Sequence, residues 1–231
     1  MINQRISIVE NILSANDRLA AENRQRLDNA RLFSINIMAS PGAGKTSLIE
    51  RTIQALSNDL NIAVIDGDIA TSLDADRAAA AGALAVQINT GGECHLDAVM
   101  LQNGLNALEI TGLDLLIVEN VGNLVCPVGF QLGTHCSVLV ASVPEGDDKP
   151  YKYPGTYQGV DVLILNKMDL LPYVEFDMDY FRRGVEMLNP QVSILPMSCR
   201  TGADVHLWLE WIVKRADRKL TLRPPNADKP E

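Results

Sequence analysis

Positive charge is in short supply in this sequence. It carries 20 Lys and Arg against 29 Asp and Glu, a net charge of −9 over 231 residues. Gripping nucleic acid takes clustered cations, and no basic run is present, so nucleic acid is not expected as the main partner. Long apolar runs are also missing. None approaches the ~18 residues that a membrane span needs. The first residues, MINQRISIVENIL, mix charges with apolar residues and lack a small-residue cleavage site, so no signal peptide is expected. Four cysteines in a chain of this length make no disulfide framework. Together these absences point to a cytoplasmic protein whose thiols are free to be metal ligands or core fillers.

What is present is a regular alternation of apolar runs. Residues 32–38, 61–66, 83–88, 113–119, 136–142, 160–166 and 192–196 read as seven strands. They are nearly continuous in Val, Ile and Leu, the pattern of strands buried on both faces. Helical stretches separate them, which predicts an α/β fold with a mostly parallel seven-stranded sheet flanked by helices. Its ligand site is expected beyond the C-terminal strand ends. Residues 1–31 read as an N-terminal helix, from apolar residues near a 3.5-residue spacing. That helix packs on its own domain or serves as a docking arm. Residues 32–220 form the main domain, and 221–231, TLRPPNADKPE, read as a disordered tail.

Three stretches carry nucleotide chemistry. ASPGAGKTS follows the first strand and opens a helix, matching the phosphate loop of P-loop NTPases with Ala39 at the first glycine position. The backbone from Gly42 through Ala43, Gly44, Lys45 and Thr46 to Ser47 would cradle phosphates at a helix N-terminus. Lys45 would bridge the β and γ phosphates, and the Thr46 hydroxyl would sit on Mg²⁺. IDGDIAT places Asp66 and Asp68 just past a strand. Asp68 is the first choice for Mg²⁺ or its water, and Asp66 the second. Glu119 closes another strand, where an acid holds Mg²⁺ or orients water. Gly122 could offer its amide to the γ-phosphate. The third stretch, LILNKMDL, contains NKxD. The Asp169 carboxylate suits the two N–H donors of guanine, and adenine mispairs there. Asn166 and Lys167 brace that loop, and amides near Ser198 and Cys199 are expected at the guanine oxygen. GTP and GDP are therefore the expected nucleotides.

NTGGECHLDA puts Cys94 beside His95 where a helix is expected to begin, a position that lowers a thiol's pKa. Cys126 follows Gly122 by four residues, at most about 14 Å of chain. Two thiolates and an imidazole suit Ni²⁺ or Zn²⁺. The alternatives are buried cysteines and an ordinary helix start. Cys136 reads as a core filler, and His135 and His206 as structural.

In matching order over residues 30–220, MASPGAGKTS, IDGDIAT, GGECHLDA, ENVGNLVCP, EGDDKPYKYP and LNKMDLLP resemble the HypB family of nickel-incorporation GTPases. The resemblance implies a GTPase that dimerises with GTP and helps insert nickel into [NiFe] hydrogenase. It implies a metal site shared across the homodimer at Cys94, His95 and Cys126. It further implies a small zinc-containing nickel chaperone and the hydrogenase large-subunit precursor as partners. Some members add an N-terminal cysteine motif or a histidine-rich stretch; here no cysteine precedes Cys94 and no histidine precedes His95. Slow turnover is expected, since the switch segments hold no evident arginine finger. Two rival readings are a urease-type nickel GTPase, which should carry Cys-Pro-His on one loop, and a nucleotide-gated metal-binding or sorting protein.

Overall fold

The computed structural model describes residues 8–69 and 72–220. The chain runs α1 (Ile8–Asn29), β1 (Phe33–Ala39), α2 (Lys45–Leu56), β2 (Ile62–Asp68), α3 (Leu73–Ala81) and β3 (Leu84–Asn89). It continues with α4 (Ala98–Ala107), β4 (Leu115–Glu119), β5 (Cys136–Ser142), α5 (Lys149–Lys152), α6 (Pro154–Gln158) and β6 (Val162–Asn166). It closes with α7 (Met178–Leu188), β7 (Ser193–Pro196) and α8 (Val205–Leu220). All seven expected strands form, each within two residues of its predicted end. The proposed tail at 221–231 and the first turns of the N-terminal helix lie outside the described residues.

The strands make one sheet in the order β3-β2-β4-β1-β5-β6-β7, and every neighbouring pair is parallel. β1, β2, β4, β5 and β6 are buried nearly throughout, as their unbroken apolar runs require. The edge strands β3 and β7 are only partly covered. On one face pack Leu48, Ile49 and Ile53 of α2 and Trp208 and Ile212 of α8. Trp208 donates its ring N–H to Thr52 at 2.8 Å, so its one polar atom is satisfied in the core. The other face is covered by Leu27 of α1 and Leu101 and Leu105 of α4, and farther along by Tyr157 and Phe181.

α1 is fastened to its own domain. Asn23 donates to the carbonyls of Ala98 at 2.8 Å and Leu132 at 3.1 Å. Asn16 donates to Gln131 O and accepts from the Ala98 amide. Gly133, at φ +93°, lies so close beneath the helix that a Cβ there would sit 2.2 Å from Ala20 O. The inward face of α1 is thus committed to the sheet. His135, read as structural, joins the same fastening: its Nδ1 is 2.7 Å from Ser34 Oγ and its Nε2 3.1 Å from Asp28 Oδ1.

Candidate functional site

A cleft of about 500 Å³ opens at the C-terminal ends of β1, β2 and β4. Its wall is the loop Pro41–Gly44 and the first turn of α2. Gly42 and Gly44 have positive φ, +76° and +108°, so both glycines are required by the turn. Ala39 does not crowd that turn. It is the last residue of β1, pairs with Val140, and buries its methyl group in the core.

The base-loop residues are bolted to this wall. Asn166 ends β6 and donates to Ala43 O at 2.9 Å, while its Oδ1 accepts from the Cys199 amide at 3.0 Å. Lys167, in the left-handed region at φ 61°, reaches back to Gly42 O at 2.7 Å. Ser198 donates to Asp169 Oδ1 at 2.6 Å and so orients the carboxylate. The amides expected at the guanine oxygen are engaged within the loop: Ser198 N donates to Ala203 O and Cys199 N to Asn166. That internal turn is invisible in the letters MSCRTG.

On the opposite side three carboxylates converge. Ligand oxygens of Asp66, Asp74 and Glu119 lie within 4.8 Å of one another. Thr46 donates to Glu119 Oε1 at 2.8 Å. Burial, reinforced by Asp74 and Asp68, pushes Asp66 up to about 7. Burial also pushes Glu119 up to about 8, against the pull of Lys45. Asp66 Oδ2 is buried without a hydrogen-bond partner. An orphaned carboxylate oxygen beside two further acids and a hydroxyl fits a hard divalent cation. Asp66 and Asp68 are the final residues of β2 and not beyond it; Asp68 is less buried and lines the same cleft. Asp74 was not read from sequence. It lies in the first turn of α3, whose return over the cleft no local pattern announces.

The third cluster lies alongside. Cys94 is not at a helix start: α4 begins at Ala98, and Asp97 is its N-cap, accepting from Met100 N. Nor is the Cys94 thiol lowered. The Cys126 thiol beside it, first by hydrogen bonding and then with slight burial, holds it above the ordinary range. Cys94 Sγ is 3.8 Å from His95 Nδ1, and the His95 ring packs on Phe130 with centroids 4.0 Å apart. Cys126 accepts from Asn123 Nδ2 at 3.3 Å. So the fold sets Cys94 beside His95 on its own loop and beside Cys126 of a second loop, but among the described residues only Asp66, Asp74 and Glu119 bring three ligand atoms within 4.8 Å of one another. Gly122, four residues before Cys126 in the chain, lies against the phosphate loop; a Cβ there would come within 3.2 Å of Pro41 Cα. Cys136 and Cys199 are buried, and His206 is exposed on α8, away from this grouping. Among the described residues no helix is long and apolar enough to cross a membrane.

A family model described as the CobW/HypB/UreG nucleotide-binding domain matches residues 33–196. The hydrogenase maturation factor HypB of Azotobacter vinelandii is 45% identical over 218 residues, spanning 94% of this chain and 72% of that protein. The crystal structure of HypB from Helicobacter pylori in complex with nickel superposes with a TM-score of 0.84 at 33% identity, covering 93% of this chain and 100% of that one. The crystal structure of HypB from Archaeoglobus fulgidus gives a TM-score of 0.82 at 37% identity, covering 88% and 99%.

Proposed function

The chain belongs to the HypB hydrogenase maturation factors of the CobW/HypB/UreG family, and from that premise we propose that it is a GTP-hydrolysing nickel metallochaperone. The observation that carries this reading is the adjacency of two thiols and an imidazole to a segment, Glu119–Gly122, that lines a phosphate-binding cleft.

In the proposed cycle GTP lies along the loop Pro41–Thr46, with its base against Asp169. Lys45 neutralises charge on the β and γ phosphates. Mg²⁺, held by Thr46 with Glu119 and Asp66 or Asp68, would supply charge neutralisation on the phosphate oxygens. Glu119 and Asp68 orient the attacking water. Gly122 donates its amide to the γ-phosphate and loses that contact on hydrolysis. Because Cys126 follows Gly122 by four residues, the same movement changes its position relative to Cys94 and His95. Nickel, or Zn²⁺ at the same donors, is then held in one nucleotide state and released in the other. A nucleotide shifts such an equilibrium only by its differential affinity for the two states.

The three donors come from two loops and leave coordination positions open. GTP-dependent homodimerisation would bring a second set to the same place. The recipients and donors in this reading are a small zinc-containing nickel chaperone and the hydrogenase large-subunit precursor, in the cytoplasm.

The test is an anaerobic Ni²⁺ titration of the wild type, Cys94→Ala and Cys126→Ala, paired with a multiple-turnover assay of GTP hydrolysis. Nickel binding that weakens in both variants, with measurable turnover of GTP, is the expected result. Turnover of GTP without cysteine-dependent nickel binding sinks the metal half of the proposal. Nickel binding without turnover leaves a nucleotide-gated binding protein.

A further inference from the structure

The loop carrying Cys94 and His95 is pinned at both ends to the floor of the nucleotide cleft. At its start, the Thr90 amide donates to Asp68 O at 3.0 Å. At its end stands Leu96, fully buried. The Leu96 side chain lies against Gly67, between the two aspartates of β2. A Cβ on Gly67 would sit 2.6 Å from Leu96 Cγ and 2.7 Å from each of its methyl carbons. Gly67 does not adopt a left-handed conformation. Its glycine is therefore explained by this close approach and not by the backbone.

The Leu96 amide takes hold of the neighbouring strand. It donates to Asn120 Oδ1 at 3.0 Å. Asn120 directly follows Glu119 and is 1% exposed. Its Oδ1 also accepts from Val121 N at 3.0 Å, and its Nδ2 donates to Asn36 Oδ1 at 3.2 Å. Gly67 and Asn120 both line the nucleotide cleft. Between the pins the loop is held by short-range bonds of its own: Gly91 N to Asn89 Oδ1, Glu93 N to Thr90 O, and Thr90 Oγ1 to Glu93 O.

We propose that Leu96 and Asn120 are positioning residues that couple the nucleotide state to the Cys94–His95 half of the metal site. A displacement of Asp66–Asp68 moves Leu96 through Gly67. A displacement of Glu119–Gly122 moves it through Asn120. Leu96 is next to His95, so either movement reorients the imidazole and the thiol before it. The Cys126 half is reached separately, along the chain from Gly122. Metal affinity therefore responds to nucleotide through two arms, of which Leu96 carries one. This rests on the metallochaperone reading above.

The experiment measures the dissociation constant for Ni²⁺ with GDP and with a non-hydrolysable GTP analogue, on the full chain, and takes the ratio. Wild type, Leu96→Ala, Leu96→Met and Asn120→Ala are compared. Coupling between sites is typically about 5- to 150-fold. Leu96→Ala and Asn120→Ala are each expected to cut the ratio at least about threefold, within the range for residues that carry coupling without touching a ligand. Leu96→Met keeps the volume over Gly67 and keeps the ratio. A residue that only fills the core would change thermal stability in Leu96→Ala and leave the ratio alone; that result overturns the proposal. Should one alanine variant fail to fold, the other decides by the same criterion, since the two residues sit at opposite ends of the Leu96 N–H bond. A wild-type ratio of one is a different result. It refutes the nucleotide-gated reading itself, and this inference with it.

Discussion

Two buried acids that hold protons near neutrality make cation binding a proton-releasing event, and the release can be counted. Asp66 is raised to about 7 and Glu119 to about 8, with burial as the leading cause in both. At pH 7 Asp66 then carries about half a proton and Glu119 about nine-tenths, roughly 1.4 protons in all. At pH 9 the pair carries only about 0.1 proton. The two groups interact, so these are properties of the pair and not of either residue. Bound nucleotide phosphates add negative charge beside them and push the occupancy further up.

Titrating Mg²⁺ into the GDP-saturated protein by calorimetry, in two buffers of different ionisation enthalpy, reads the protons directly. The expected release is about 1.4 or more at pH 7, falling steeply by pH 9. Asp66→Asn should remove at least about half a proton of it at pH 7, because losing the Asp66 charge also lowers Glu119. Release below about 0.3 proton at pH 7, or release that does not change by pH 9, would refute the assignment of these acids to the cation. The same shifts set the sign of pH-dependent stability for the metal-free protein. Folded Asp66 and Glu119 bind protons more tightly than they do in the unfolded chain. Their contribution is fully present below the ordinary carboxylate range and is lost as pH rises through about 7 to 8.

Two structural predictions are independent of the metal. Asn166→Ala removes the side chain joining Ala43 O to Cys199 N and strands both buried backbone groups, at about 1–3 kcal/mol each. Urea unfolding should show a loss of about 2–6 kcal/mol, and a fluorescent GDP analogue should bind more weakly; unchanged affinity would mean that the base loop and phosphate loop do not depend on this bridge. Gly133→Ala meets a left-handed φ and the Ala20 carbonyl together. The conformation costs about 1–2 kcal/mol, and lifting α1 off the Asn23 bonds and the bond that Arg24 Nε donates to Gly133 O costs about as much again, so a loss of about 2–4 kcal/mol is expected. A loss below about 1 kcal/mol in urea would show that α1 is not held as described.

What was legible in the sequence, and what was not, divides along the range of the interactions. The seven strands could be read because a strand buried on both faces must be apolar at every position, as VLILN in β6 is. Their order could not, since β4 inserts between β1 and β2 by pairings that span scores of residues. Lys45, Thr46, Asp169 and the cysteines stood out because their chemistry demands those residue types. Asp97 could have been recognised as the N-cap of α4 from an acid just ahead of AVMLQNGL, which would have moved Cys94 into the loop. Asp74 gives no such sign, because an acid in the first turn of a helix is ordinary wherever the helix points.

Gly67 lies between these cases. A glycine inside the strand IAVIDGD signals that something approaches its backbone closely. That much is a local statement, available from seven letters. Its occupant, Leu96, is 29 residues on, in a different loop, and looks there like any apolar residue before a helix. β3 lies between them in sequence and pairs with β2 in parallel, so the chain after β3 emerges at the same sheet edge as Asp66–Asp68. The parallel crossover is what sets Leu96 over Gly67. A chemistry-bearing loop placed after β3 is thereby in contact with the acids that end β2, and the same topology that builds the nucleotide cleft delivers the Cys94–His95 pair to its rim.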